Sequence, residues 1–317
     1  MIYEKKPTTT DEQIQRLEER GLLINNKERA KQYLRNISYY RLKAYTRPIL
    51  QSRGGEQRFV KAGISFKDVI DLYSFDSQLR SLLFNAIEQI EVALRTRISL
   101  IYSVNKNDGF WFLDPELYPL NLRHTEYVEE LRQEIWKDLK QSKEEFIAHY
   151  REKYVSPSYP PAWITLEVIS MGKLSRLISS LDWSNPSHKQ VCREFGLKKA
   201  KTLTNWMHAL SRLRNFCAHH SRVWNRKYIK IIIPKQTLYP FLTDQEIARH
   251  NLKGENNVPD NKLFAYLSII LYLLQIVSPD IPFKQSLQAL LQSRPKLVTL
   301  KDMGFPQGWS TFTLWKS

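Results

Sequence analysis

Residues 212–226, RLRNFCAHHSRVWNR, hold four arginines, two adjacent histidines and one of the chain's two cysteines. Several chemistries could use such a set. A histidine titrates near neutral pH, so it can take a proton from a ribose 2′-OH or return one to a leaving oxygen. An arginine stays charged and offers phosphate oxygens a planar fork of donors. It can also stabilise the extra negative charge of a phosphorane-like transition state. An asparagine four residues before a histidine can orient its ring or bind phosphate. Zinc would need three or four ligands, but adjacent histidines diverge on a helix and no HExxH spacing occurs. We therefore expect no metal and no cofactor. A cysteine nucleophile fits poorly too, because Cys217 falls on an apolar face where cysteine is usually inert. The plainer alternative is a solvated basic face with incidental histidines.

The element that must carry these residues is a helix, read here as 198–224. At about 100° per residue, Leu203, Trp206, Met207, Leu210, Leu213, Cys217 and Trp224 share one face, the core side. His208, Arg212, Asn215, His219 and Arg222 gather opposite. Arg214 lies about 140° from His219, Arg212 much closer, and His220 about 100° away on a flank.

The rest of the chain fits a mainly helical protein. Its 317 residues include only ten glycines, 42% are hydrophobic, and amphipathic patterns dominate. Thr10 with Gln13 suggests a capping box, and Gly21 a helix end. A second helix follows at about 27–36, then SYYRLKAYTRPIL at 38–50, where aromatics and bases alternate. QSRGGEQRF at 51–59 reads as a loop. From Phe66 to about Val104 one long helix buries Ile87, Ile90, Leu94, Ile98 and Ile101 in a stripe. Another, broken once, covers about 123–153. SPSYPPAW at 156–163 is a connector, followed by helices at about 162–181 and 187–195. KYIKIIIPK at 227–235 is the one strong strand pattern, so the fold should contain at most a short strand or hairpin there. DQEIARHNLKGENN reads as a polar loop, and two helices at 260–278 and 282–293 end the chain. The most apolar run, LFAYLSIILYLLQIV at 263–277, is shorter than the ~20 residues a spanning helix needs and reads as core.

The charge is +16, from 48 Lys+Arg against 32 Asp+Glu. That excess points to a polyanionic partner, nucleic acid before an anionic membrane. Two cysteines make no disulfide framework, and MIYEKKPTTTDEQ lacks a signal peptide's apolar core, so a cytoplasmic protein is expected.

Arg214-Asn215-Phe216-Cys217-Ala218-His219 resembles the R-N-x-x-x-H form of the R-x4–6-H motif of HEPN ribonucleases. The longer run RNFCAHHSRVWNR is similar to the Abi-like abortive-infection proteins of the AbiD/AbiF group. SYYRLKAY (38–45), LYSFDSQLRSLLFNAIEQIEVALRTRI (72–98) and PAWITLEVISMGKLSRL (161–177) extend the likeness over most of residues 15–230. The resemblance implies a HEPN-type helical bundle with added N- and C-terminal helices: 1–60 an N-terminal helical segment, 61–235 the core, and 236–317 an extension. It implies metal-independent RNA cleavage by 2′-OH attack at a site composed of two motifs. With one motif in this chain, that means a homodimer.

The implied catalytic residues are Arg214, Asn215 and His219. Arg212 is the competing arginine and His220 an alternative R-x5-H histidine. Glu91 and Arg95, at i,i+4, would support the site, although such a pair is also an ordinary surface ion pair worth ~0.3–0.5 kcal/mol. Tyr39, Tyr40, Arg41, Lys43 and Tyr45 could stack bases and hold phosphates, or simply pack the N-terminal helices. Arg222 and Arg226 join the RNA-binding set. Two functions stay open: an endoribonuclease effector of phage defence or a toxin–antitoxin pair, and a non-catalytic protein that holds a structured RNA, such as an RNA antitoxin.

Overall fold

The computed structural model describes Ile2, Glu4 and residues 6–53, 56–59, 63–233 and 260–316. The architecture is mainly α. Among the described residues twelve α-helices accompany a single two-stranded hairpin.

The organising element is α4, Phe66–Lys106, 41 residues long. Ser65 caps its start by accepting from the Asp68 N–H while the Asp68 carboxylate accepts from the Ser65 N–H. Asn107 ends it in the left-handed conformation. The expected stripe is buried throughout: Ile87, Ile90 and Leu94 are wholly enclosed, with Ile98 and Ile101 nearly so.

Three short helices precede it: α1 (Thr10–Glu19), α2 (Lys27–Ile37) and α3 (Tyr39–Thr46). The α1 capping box is made by Thr9 and Glu12, one residue earlier than the sequence suggested, and Gln13 instead donates to the Thr8 carbonyl. The stretch read as a loop at 51–59 is a hairpin. Strand β1, Leu50–Arg53, pairs antiparallel with β2, Glu56–Phe59, in the register Arg53↔Glu56.

After α4, the broken helix appears as α5 (Glu126–Gln141) and α6 (Glu145–Lys153). The single helix expected at 162–181 is two, α7 (Ala162–Val168) and α8 (Met171–Ser180). Ile169 is extended, and Ser170 caps α8 by accepting from the Lys173 N–H. Next come α9 (Pro186–Glu194) and α10 (Ala200–Ala218). The last two helices are α11 (Leu263–Val277) and α12 (Phe283–Gln292). Helices α3, α7, α9, α10, α11 and α12 all pack on α4. The α11 run is core, as expected, and no described helix is long and apolar enough to cross a membrane.

Residues 227–233 are extended but join no strand. Their backbone is satisfied differently. Tyr228 and Ile231 donate to the carbonyls of Asn261 and Asp260. Asn205 on α10 accepts from the Ile232 N–H and donates to the Lys230 carbonyl. A side chain thus does the work of a partner strand. Pro234 and Lys235, and the expected polar loop at 244–257, lie outside the described residues.

Candidate functional site

The α10 helix buries the face its sequence predicted, with Leu203, Trp206, Met207, Leu210 and Leu213 wholly enclosed. It ends sooner than expected, at Ala218. The cause is a Schellman turn. The Ser221 N–H donates to the Phe216 carbonyl and the His220 N–H to the Cys217 carbonyl, with His220 at φ 54°. Glycine usually fills that left-handed position, and histidine is among the residues that tolerate it. The chain therefore turns at the histidine pair. His219 stays exposed at the helix end, with its N–H bonded to the Asn215 carbonyl. His208, Arg212 and Asn215 are exposed as well. Arg222 is not, because it follows the turn and is half-buried.

What holds the turn is a buried polar network that the sequence reading missed. Asp76 on α4 is fully buried. Its carboxylate accepts from the Val223 N–H (3.1 Å) and the Trp224 N–H (2.6 Å). It also accepts from the Tyr45 hydroxyl of α3 at 2.7 Å and from Arg80, one turn further along α4, at 2.5 Å. Arg80 in turn donates to the Tyr45 oxygen at 2.9 Å. Burial pushes the Asp76 carboxyl up, against the pull of the Tyr45 hydroxyl, the Trp224 N–H and Arg80. Three neutral donors and the buried Arg80 guanidinium oppose that push by favouring the charged form. Burial likewise drives the Tyr45 hydroxyl well above its ordinary value, fixing it as a donor. This network joins α3, α4 and the segment after α10 into one frame. Arg41 adds a further tie by donating to the His220 carbonyl at 2.8 Å.

A cavity of about 580 Å³ opens beside the turn. His219 and His220 border it on one side, Tyr40, Arg41 and Arg47 on another, and Arg222 and Arg226 complete the wall. Tyr40 is 84% exposed. Tyr39 does not join it. It is half-buried against the core, and its hydroxyl accepts from Arg20. Lys43 is exposed on α3, away from the cavity lining.

Arg214 lies elsewhere. Its Nε is 3.9 Å from Glu91 Oε2, and its guanidinium stands over the Phe84 ring at 5.3 Å. Glu91 is also bonded by Arg95, which donates to the Leu166 carbonyl of α7 as well. The Glu91–Arg95 pair is thus buried, not the surface pair its spacing allowed, and it sets the carboxylate that faces Arg214. Such a pair costs several kcal/mol to break, far above the surface value. Cys217 is buried, and burial pushes its thiol up to about 12, so it is no nucleophile at neutral pH. Among the described residues no cluster of His, Cys, Asp or Glu could hold a metal ion.

The model of the Abi-like protein family matches residues 32–225. The chain belongs to the Abi-like family. The matched stretch contains α3, α4, α10, the turn and the whole Asp76 network, and it stops before α11. Membership implies an abortive-infection function. No curated protein and no solved structure matches the chain.

Proposed function

We propose that this Abi-like protein is a metal-independent endoribonuclease of the HEPN type. In this reading His219 removes the proton of a ribose 2′-OH, and the 2′ oxygen attacks the adjacent phosphorus. The P–O5′ bond breaks, leaving a 2′,3′-cyclic phosphate, and the leaving oxygen takes up a proton as a 5′-OH. Arg214 neutralises the charge that builds on the phosphorane-like centre. Asn215 orients the imidazole or a phosphate oxygen. Glu91 and Arg95 hold Arg214 in place. The observation that carries the reading is His219, exposed at a rigidly held helix end beside a cavity walled by arginines.

Within one chain Arg214 and His219 point in different directions around α10, about 140° apart. A homodimer with its α10 helices facing across a two-fold axis would bring Arg214 of one protomer towards His219 of the other. The exposed Arg212 is the alternative partner for the phosphate. RNA is the substrate this chemistry requires, because DNA has no 2′-OH.

Cleavage of total RNA by the purified protein tests the proposal. His219→Ala should abolish it, Arg214→Ala should do the same, and EDTA should not inhibit. Cleavage undiminished in His219→Ala contradicts the assignment. Loss with Arg212→Ala but not Arg214→Ala transfers the arginine's role. The four arginines that line the cavity also suit a protein that holds a structured RNA without cutting it. RNA bound tightly but left intact under every condition would establish that second reading.

A further inference from the structure

The cavity beside His219 has an electrostatic peculiarity. Four arginines line it: Arg41, Arg47, Arg222 and Arg226. Among the described residues none of them shares an ion pair with a carboxylate, whereas thirteen other lysines and arginines do. Asp76, the acid whose charge acts on Arg222, is spent on Arg80, Tyr45 and two backbone N–H groups. Arg222 is the most exposed to this imbalance energetically. Its Nη1 is buried with no hydrogen-bond partner. Its pKa is lowered, first by burial and then by the neighbouring charge of Arg226. A buried donor left unmatched beside a second cation is costly unless an anion completes it.

Three of the four, Arg226, Arg41 and Arg222, are positioned rather than loose. Arg226 donates through Nε to the Arg222 carbonyl and stands over Phe216, 4.0 Å from the ring centre. Arg41 is tied to the His220 carbonyl. Arg222 stands over the Trp224 ring at 5.7 Å, and the backbone N–H of Trp224 is fastened to Asp76. Guanidinium groups held this way present their remaining donors with little left to order on binding. Tyr40 leaves an open ring at the rim, the kind of surface on which an unpaired base stacks. At about 580 Å³ the cavity is of ordinary ligand size.

We infer that this cavity is a nucleotide-phosphate pocket. Arg222 and Arg226 take the phosphate, Arg41 and Arg47 neutralise it from the α3 side, and a base stacks on Tyr40. The inference rests on the RNA reading above. It adds a holding site for one nucleotide, separate from Arg214, next to the histidine that would perform cleavage. The phosphate can belong to an RNA backbone or to a free nucleotide.

The test uses the full-length protein and a fluorescent 2′-O-methyl RNA oligonucleotide, which binds but cannot be cut. Its Kd is read by anisotropy across a salt series for wild type, Arg222→Gln/Arg226→Gln and Arg47→Gln. Because Arg47 is exposed, its variant reports on the pocket even if the double variant fails to fold. The double variant should bind roughly 10-fold or more weakly, and its log–log salt slope should fall by about one to one and a half, since each lost phosphate contact on a single strand removes about 0.7. Arg47→Gln should show a smaller change in the same direction. Uridine monophosphate titrated against the bound probe separates the sources. Displacement at micromolar concentration, lost in Arg47→Gln, assigns the pocket to a free nucleotide; no displacement with a reduced salt slope assigns it to the RNA backbone. Unchanged Kd and slope in both variants, with no uridine monophosphate binding, overturn the pocket. Because the probe cannot be cleaved, failure of the ribonuclease assignment leaves this result standing, and the reverse also holds.

Discussion

Asp76→Ala should be among the most damaging single changes in this chain. The substitution leaves Arg80, only 4% exposed, without its counter-ion. Breaking a buried pair by removing one partner costs roughly 3–5 kcal/mol. It also strips the acceptor from the Val223 and Trp224 N–H groups, each worth ~1–3 kcal/mol when left unmatched in the interior. These terms overlap, because water that enters the vacated space serves several donors at once. The expected loss is therefore about 4 kcal/mol, set mainly by the stranded guanidinium, against a usual total near 5–15 kcal/mol. Urea unfolding followed by tryptophan fluorescence measures it. Arg80→Met combined with Asp76→Ala removes the stranded charge, so the double variant should be more stable than Asp76→Ala alone by ~1–2 kcal/mol. A loss below about 1 kcal/mol for Asp76→Ala, or a double variant as unstable as the two single losses added, would refute the network as the frame of the turn.

Other consequences follow from particular contacts. His188 is buried, bonded through Nδ1 to the Tyr102 hydroxyl at 3.1 Å, and burial lowers its pKa from 6.5 to about 4. Below pH 6.5 the unfolded chain binds a proton there that the folded chain refuses, so stability should drop as pH falls from about 6.5 to about 4, by up to ~3 kcal/mol. The wild-type urea midpoint should fall more steeply through that window than that of His188→Asn, and parallel curves would argue against it. Gly196 sits at φ 66°, and a Cβ there would run into the Tyr272 hydroxyl, which donates to the Gly196 carbonyl. Gly196→Ala should cost ~1–3 kcal/mol in the same assay, with no loss if the turn repacks freely. A composite site also requires two chains. Light scattering should therefore find a dimer at micromolar concentration, and fully active monomer would exclude that arrangement.

Much of the frame was legible because burial leaves a period. The α4 stripe and the core face of α10 followed from apolar spacing alone. What periodicity concealed were its interruptions. The α10 pattern runs on past Ala218 because Trp224 is buried whether or not the helix continues. The turn that ends it uses His220 where a glycine would have announced it. The break between α7 and α8 rests on Ser170, one serine in an otherwise helical stretch. The strand pattern at 227–233 correctly marked extended chain, but the sequence does not say that Asn205 rather than a strand would meet it.

The site was legible in part. Its exposed histidines and arginines stand in one motif, while the support of the turn, Asp76, lies 147 residues upstream of Val223. Asp76 and Arg80 did leave a signal, a charged pair at i,i+4 on the same face as Leu72, Leu79 and Leu83, which are wholly buried. Charges on an apolar face must be matched from elsewhere in the fold. Which groups match them, here Tyr45 and the backbone after His220, is decided by three-dimensional packing. Arg222 shows the converse. The helical wheel put it on the open face with His219, and the Schellman turn carries it into the cavity wall.

The most direct test of a composite ribonuclease site is complementation. Arg214→Ala and His219→Ala proteins, each inactive alone, are mixed under conditions that exchange subunits, and RNA cleavage is measured. A mixed dimer keeps one site with Arg214 from one chain and His219 from the other, so activity should reappear at up to about a quarter of the wild-type rate, given random pairing and one intact site of two. No recovery despite verified exchange would contradict a site shared between protomers, and full cleavage by His219→Ala alone would contradict the assignment of the histidine itself.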